Sequence, residues 1–164
     1  MGKGVAHVPP GEGTRSQWVL GELLTYKIPS HRTGGAYALF EATTRPGAGP
    51  PSHVHHREDE SFYVLEGEYE FSIKSHTFKA GTGSLIYVPK GTLHAHKNVG
   101  EGAGRMLVNQ TPGGLYEYFF EEVGKPVNGN GEPLVFEDQS EVASNIVAIA
   151  AKYGIEIPSP FAQQ

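Results

Sequence analysis

Short apolar runs that end at glycine or proline recur along most of this chain. The runs are rich in Val, Ile, Leu, Tyr and Phe, and 22 glycines plus 12 prolines make 34 of 164 residues. Glycine and proline together thus make up about 21% of the chain, compared with roughly 12% in average proteins. Because the hydrophobic fraction is an ordinary 38%, the excess does not indicate disorder. It is typical of an all-β protein in which many short strands alternate with tight turns.

Alternation of apolar and polar residues places the strands within this pattern. We predict strands over residues 24–28, 34–44, 61–66, 69–74, 85–88, 93–98, 105–110 and 115–121. The sequence Glu66-Gly67-Glu68 predicts a hairpin that joins two of them. The strand pattern by itself supports either a β-sandwich or a β-barrel.

The end of the chain changes to a helical pattern. Apolar residues at i, i+4, i+7 and i+8 are Val142, Ile146, Ile149 and Ala150, the spacing of an amphipathic helix. Asp138 or Ser140 could cap it. We therefore expect one domain over 1–164, with an N-terminal arm over 1–16, a barrel over 17–121 and a C-terminal helix over 138–153.

Two histidines and a glutamate are the first candidate metal ligands in the sequence. His53 and His55 are one residue apart, so in an extended segment both side chains point to the same side. Glu60 can join them only if residues 57–59 turn or bulge, because its offset from His55 is odd. Two imidazoles and a carboxylate are donors for a divalent transition metal, and His94 is the best candidate for a fourth ligand.

Two spaced motifs extend this ligand set. The first is Gly47, five residues, His53-Val54-His55, four residues, Glu60, six residues, Gly67. The second is Gly83, five residues, Pro89-Lys90-Gly91, two residues, His94, three residues, Asn98. Together they resemble the two motifs of the cupin superfamily.

The resemblance implies a fold and a ligand set. Cupins are jelly-roll barrels that bind one divalent metal through the residues matching His53, His55, Glu60 and His94. Imidazoles with one carboxylate favour Ni, Mn, Fe or Co, and Zn or Cu also suit them. Asp59 would satisfy a shorter motif spacing, but Glu60 also keeps the distance to Gly67. His96 follows His94 on the same strand face, either as a residue facing the metal or substrate or as a hydrogen-bonded barrel histidine.

A short single barrel with this motif is similar to the bacterial quercetin-dioxygenase-like cupins. The resemblance implies cleavage of a flavonol by O2, with Glu60 as the catalytic base that takes the proton of the 3-hydroxyl. Two alternatives remain open. One is another cupin metalloenzyme, an isomerase or cyclase of a small oxygenated substrate, and the other is a non-catalytic, metal-dependent module that binds a small molecule.

Composition excludes several partner classes. A net charge of −5, a pI near 5.9 and the lack of a basic cluster argue against nucleic acid. No apolar run is long enough for a membrane span, and no secretory signal is visible. With no cysteine, disulfides and thiolate chemistry are excluded, which fits the cytoplasm. By resemblance we expect a homodimer that associates through residues 18–24 and the C-terminal helix.

Overall fold

The computed structural model describes residues 4–132 and 139–158, which form eleven strands and three helices. The strands are β1 Ser16–Val19, β2 Glu22–Ile28, β3 Ala38–Thr44, β4 Val54–His55, β5 Asp59–Glu66, β6 Glu68–Ile73, β7 His76–Gly81, β8 Leu85–Val88, β9 His94–Asn98, β10 Gly104–Thr111 and β11 Ile155–Glu156. The helices are α1 Ser30–Thr33, α2 Leu115–Val123 and α3 Gln139–Lys152. No described helix is long and apolar enough to cross a membrane.

Two antiparallel sheets enclose the core. One has six strands in the order β1-β2-β3-β10-β5-β8, and the other has three in the order β7-β6-β9. The short pair β11-β4 lies beside the smaller sheet, because His53 forms a bridge with His94 of β9. Inward residues of both sheets, such as Tyr26, Phe40 and Phe71, are almost fully buried. This confirms the predicted all-β jelly-roll fold.

The predicted hairpin at Glu66-Gly67-Glu68 is wrong. β5 pairs with β10 and β8, whereas β6 pairs with β7 and β9. Gly67, at φ 89°, therefore carries the chain from one sheet to the other. A tight turn between two alternating runs looks the same in sequence whether the runs pair or separate, because the partner strands lie far along the chain.

The predicted strand over 115–121 is also wrong. Residues 115–123 form helix α2. Three aromatic residues, Tyr116, Phe119 and Phe120, fall at i, i+3 and i+4 and pack against the core. Burial of one helical face outweighs the strand preference of these aromatic side chains.

The C-terminal helix is confirmed as α3. Ile146 and Ala150 of its apolar face are buried. The chain then continues into β11, where Ile155 pairs with His55 of β4. The proposed cap Asp138 lies outside the described residues.

Candidate metal centre

Four residues predicted as ligands lie together inside the barrel. One donor atom from each of His53, His55, Glu60 and His94 lies within 4.8 Å of all the others. Each of the four residues is at most 5% exposed. They come from the segment around β4, from β5 and from β9, which the bridge between His53 and His94 holds side by side.

The chain bends between His55 and Glu60, as their odd spacing requires. The bend lies at His56 and Arg57, where the backbone amide of His56 donates to the Gly154 carbonyl at 2.9 Å. Asp59, the alternative ligand, lies outside the four-residue group. Its Oδ1 accepts a hydrogen bond from the backbone amide of Lys90 at 2.8 Å.

Backbone carbonyls fix the orientation of two of the three imidazoles. Nδ1 of His53 donates to the Pro51 carbonyl at 2.8 Å, and Nδ1 of His94 donates to the Thr92 carbonyl at 2.9 Å. These hydrogen bonds leave Nε2 of each ring to face the other donors, which is how proteins orient metal-binding histidines.

Glu60 is the central anion of the group. Its Oε2 accepts a hydrogen bond from His94 Nε2 at 2.7 Å and lies 3.2 Å from His55 Nε2. Its Oε1 accepts a hydrogen bond from the buried amide of Gln110 at 3.0 Å. Burial opposes ionisation of this carboxyl, but the neighbouring His55 and His94 hold its pKa well below its usual range. Glu60 is therefore an anion at neutral pH.

The imidazoles differ in their affinity for protons. Burial, together with the neighbouring His55 and His94, lowers the pKa of His53 to about 3. Burial opposes protonation of His94 as well, but the hydrogen bond and charge of Glu60 raise its pKa. Without a metal, His94 and Glu60 thus form a buried ion pair, and a metal that binds His94 Nε2 must displace a proton.

These donors fit a divalent transition metal. Neutral imidazole nitrogens and one carboxylate oxygen are donors that such metals accept. With metal–ligand distances of about 2.1 Å, one ion can reach all four after small side-chain shifts. A set of four protein ligands also leaves room for a further ligand around a metal that prefers octahedral coordination.

A narrow, largely apolar pocket lies beside the four residues. His53 and Glu60 line it together with Leu24, Phe40, Ala42, Phe62, Val108 and Phe120. Tyr116 of α2 also lines it and packs edge-on against His55, with ring centroids 4.5 Å apart. Burial, with the negative charge of Glu60, raises the pKa of the Tyr116 phenol well above its ordinary value. The phenol is therefore neutral across the physiological pH range.

Glu22 and His96 form a buried hydrogen-bonded pair in the same pocket, which the sequence analysis did not predict. His96 Nε2 donates a hydrogen bond to Glu22 Oε1 at 2.9 Å, and the Thr44 hydroxyl donates to the same oxygen at 2.7 Å. His96 is thus both hydrogen-bonded in the barrel and part of the pocket wall. Glu22 could have been found from its register, because it alternates in phase with the buried Leu24 and Tyr26.

The fold and the four residues define a class: a β-barrel protein with a buried centre of three histidines and one glutamate that can hold a metal ion. Residues 40–109 match the family described as Cupin domain. The chain belongs to the cupin superfamily. Both motifs identified in the sequence lie within the matched residues.

Several curated proteins are similar to this chain. Quercetin 2,3-dioxygenase of Bacillus subtilis is 26% identical over 121 residues, which are 73% of this chain and 35% of that protein. An uncharacterised protein of Methanocaldococcus jannaschii is 30% identical over 87 residues, 53% of this chain and 67% of that protein. A Streptomyces cyaneus protein named polyketide synthase CurC is 32% identical over 94 residues, 56% of this chain and 60% of that protein. The chain thus spans about a third of the length of the dioxygenase.

Solved structures show the same fold at low sequence identity. A protein described as a predicted oxalate decarboxylase of Thermotoga maritima superposes with a TM-score of 0.60 at 18% identity, covering 65% of this chain and 99% of that one. KdgF of Halomonas superposes with a TM-score of 0.53 at 17% identity, covering 58% and 84%. These similarities establish the fold. The reaction has to be inferred from the residues of the site.

Proposed function

We propose that this protein is a metal-dependent dioxygenase that cleaves a flavonol, or a related enolisable aromatic substrate, with O2. The observation that carries the proposal is the buried group of His53, His55, Glu60 and His94 beside an aromatic and aliphatic pocket. The similarity to the Bacillus subtilis quercetin 2,3-dioxygenase over 73% of the chain supports the substrate class.

A divalent metal bound by the four residues would supply Lewis acidity that makes a substrate hydroxyl easier to deprotonate. Glu60 would take that proton. Its carboxylate is anionic, and the amide of Gln110 holds Oε1. This leaves Oε2 as the proton acceptor, provided that its hydrogen bond with His94 is released.

The walls of the pocket would bind the aromatic ring of the substrate and exclude water. Phe40, Phe62 and Phe120 offer flat apolar surfaces to an aromatic ring and exclude bulk water. The neutral phenol of Tyr116 stands against His55 at the edge of the group. Because the pocket is narrow, entry of a molecule as large as a flavonol requires the pocket walls to move apart.

The proposal predicts oxygen-coupled loss of the flavonol absorbance. We expect protein loaded separately with Mn, Fe, Co or Ni to consume quercetin and O2 together in at least one form. Glu60→Gln should lower the rate by about 100-fold or more, the usual contribution of a general base. The measurement combines absorbance with an oxygen electrode, and metal content is determined for each sample.

Asp59→Asn is the matched control, because it removes the neighbouring carboxylate that lies outside the group. A variant that binds metal and keeps the full rate after Glu60→Gln would overturn the role of Glu60 as base. Bound metal without quercetin turnover would exclude quercetin as the substrate. Turnover of a small oxygenated compound without O2 uptake would then indicate an isomerase or cyclase, and tight binding without turnover a binding module.

We expect a cytoplasmic homodimer that has no nucleic-acid or membrane partner. Val19 and Leu24, from the stretch expected at the dimer interface, are buried in the barrel core. Any contact between protomers there would use Trp18 and the outer face of the β1–β2 hairpin.

A further inference from the structure

Glu58 is a buried carboxylate that the four-residue group does not use. Its side chain is 1% exposed, and neither carboxylate oxygen has a hydrogen-bond partner. Among the described residues, no lysine or arginine lies within ion-pair distance of it. His55 is close to it, with Nδ1 3.7 Å from Glu58 Oε2. A buried carboxylate without a partner is costly, so its position requires an explanation.

His55 is the one imidazole of the group that lacks a backbone anchor. His53 and His94 each donate Nδ1–H to a backbone carbonyl, whereas neither ring nitrogen of His55 has a hydrogen-bond partner. Nε2 of His55 faces Glu60 at 3.2 Å. Nδ1 faces Glu58, which occupies the place that a carbonyl takes beside the other two rings.

We propose that the Glu58 carboxylate accepts a hydrogen bond from His55 Nδ1–H and thereby positions Nε2 for a bound divalent metal. The inference rests on the metal centre of the proposed function and makes Glu58 a positioning residue. A metal at Nε2 strengthens Nδ1–H as a donor, and a carboxylate acceptor in turn makes the ring a better ligand. A side-chain rotation that shortens the distance by about 1 Å would complete the hydrogen bond.

Backbone geometry agrees with this role. The bend at His56 and Arg57 brings Glu58 back beside His55, three residues earlier in the chain. The Arg57 side chain lies against Gly154.

The test is the affinity of the protein for Co²⁺, measured by competition with a chromophoric chelator. We expect Glu58→Gln to weaken Co²⁺ binding by about 10- to 100-fold, the usual effect of removing such a partner. The metal-free variant should unfold at the same urea concentration as the wild type or at a higher one, because neither oxygen of Glu58 has a hydrogen bond to lose. A purely structural role for Glu58 predicts the reverse: lower stability and unchanged Co²⁺ affinity of the folded protein.

Asp59→Asn is again the control, with Co²⁺ affinity expected to match the wild type. Glu58→Met serves as a second variant, because it keeps the side-chain length without any acceptor, and it should weaken Co²⁺ binding at least as much as Glu58→Gln. Wild-type affinity in both folded variants would overturn the inference. Absence of Co²⁺ binding by the wild type would overturn the metal centre itself. Failure to turn over quercetin would leave the role of Glu58 intact, because the affinity is measured without substrate.

Discussion

Saturation with Co²⁺ or Ni²⁺ is expected to raise the free energy of unfolding by about 4 kcal/mol when free metal exceeds its dissociation constant 1,000-fold. The midpoint of thermal unfolding should rise by roughly 8–16 °C for a domain of this size. The reason is that the unfolded chain separates His53, His55 and Glu60 from His94, so the ion binds the folded state. Thermal unfolding followed by circular dichroism, with and without metal, measures the shift.

His94→Ala removes the ligand contributed by β9 and should abolish most of this stabilisation. His76→Ala is the matched control, since His76 is exposed on β7 and should leave the shift unchanged. An equal metal-induced shift in His94→Ala and the wild type would show that the ion binds elsewhere.

The metal-free protein is expected to lose stability as the pH falls below about 6.5. Burial lowers the pKa of folded His53 to about 3, so between about pH 6.5 and 3 the unfolded chain binds a proton there that the folded protein does not. The free energy of unfolding therefore decreases as the pH is lowered from about 6.5 to 3, by up to about 5 kcal/mol at 1.36 kcal/mol per pH unit. Glu60 adds to the loss at lower pH, because its folded pKa is also depressed.

His94 acts in the opposite direction. Its pKa is raised by Glu60, so its contribution is fully present below the ordinary histidine pKa and is lost as the pH rises. Below about pH 6.5 this contribution is constant, so His94 does not offset the loss caused by His53. Urea unfolding at pH 7.5, 6, 5 and 4 measures the slope. His53→Gln should flatten it, while His76→Gln should not. Constant or rising stability of the wild type below pH 6.5 would contradict this account.

The sequence patterns predict most of the arrangement of the four candidate metal ligands. His53 and His55 share a face because strand side chains alternate, and the odd offset of Glu60 required the bend that the structure has at His56 and Arg57. His94 came from the motif spacing, since no local pattern connects β4 to β9. The strands with clean alternation, such as β6 and β10, were predicted close to their observed bounds.

The errors arise where long-range packing decides. In residues 115–121, the aromatic side chains suit a strand locally, but their spacing also buries one face of a helix against the core. At Gly67, the turn is local, whereas the pairing partners of β5 and β6 lie elsewhere in the chain. The register of Glu22 indicates that it is buried, but the partners of Glu22 and Glu58 depend on which strands and bends face each other, so nearby residues do not predict these contacts.

Anomalous diffraction from crystals of the Co²⁺-loaded protein tests the metal centre most directly. The account predicts one strong anomalous peak per chain inside the barrel. It should lie within about 2.0–2.2 Å of Nε2 of His53, His55 and His94 and of a carboxylate oxygen of Glu60. A fully loaded crystal with no peak among these four residues, or with the ion held by other side chains, would contradict it.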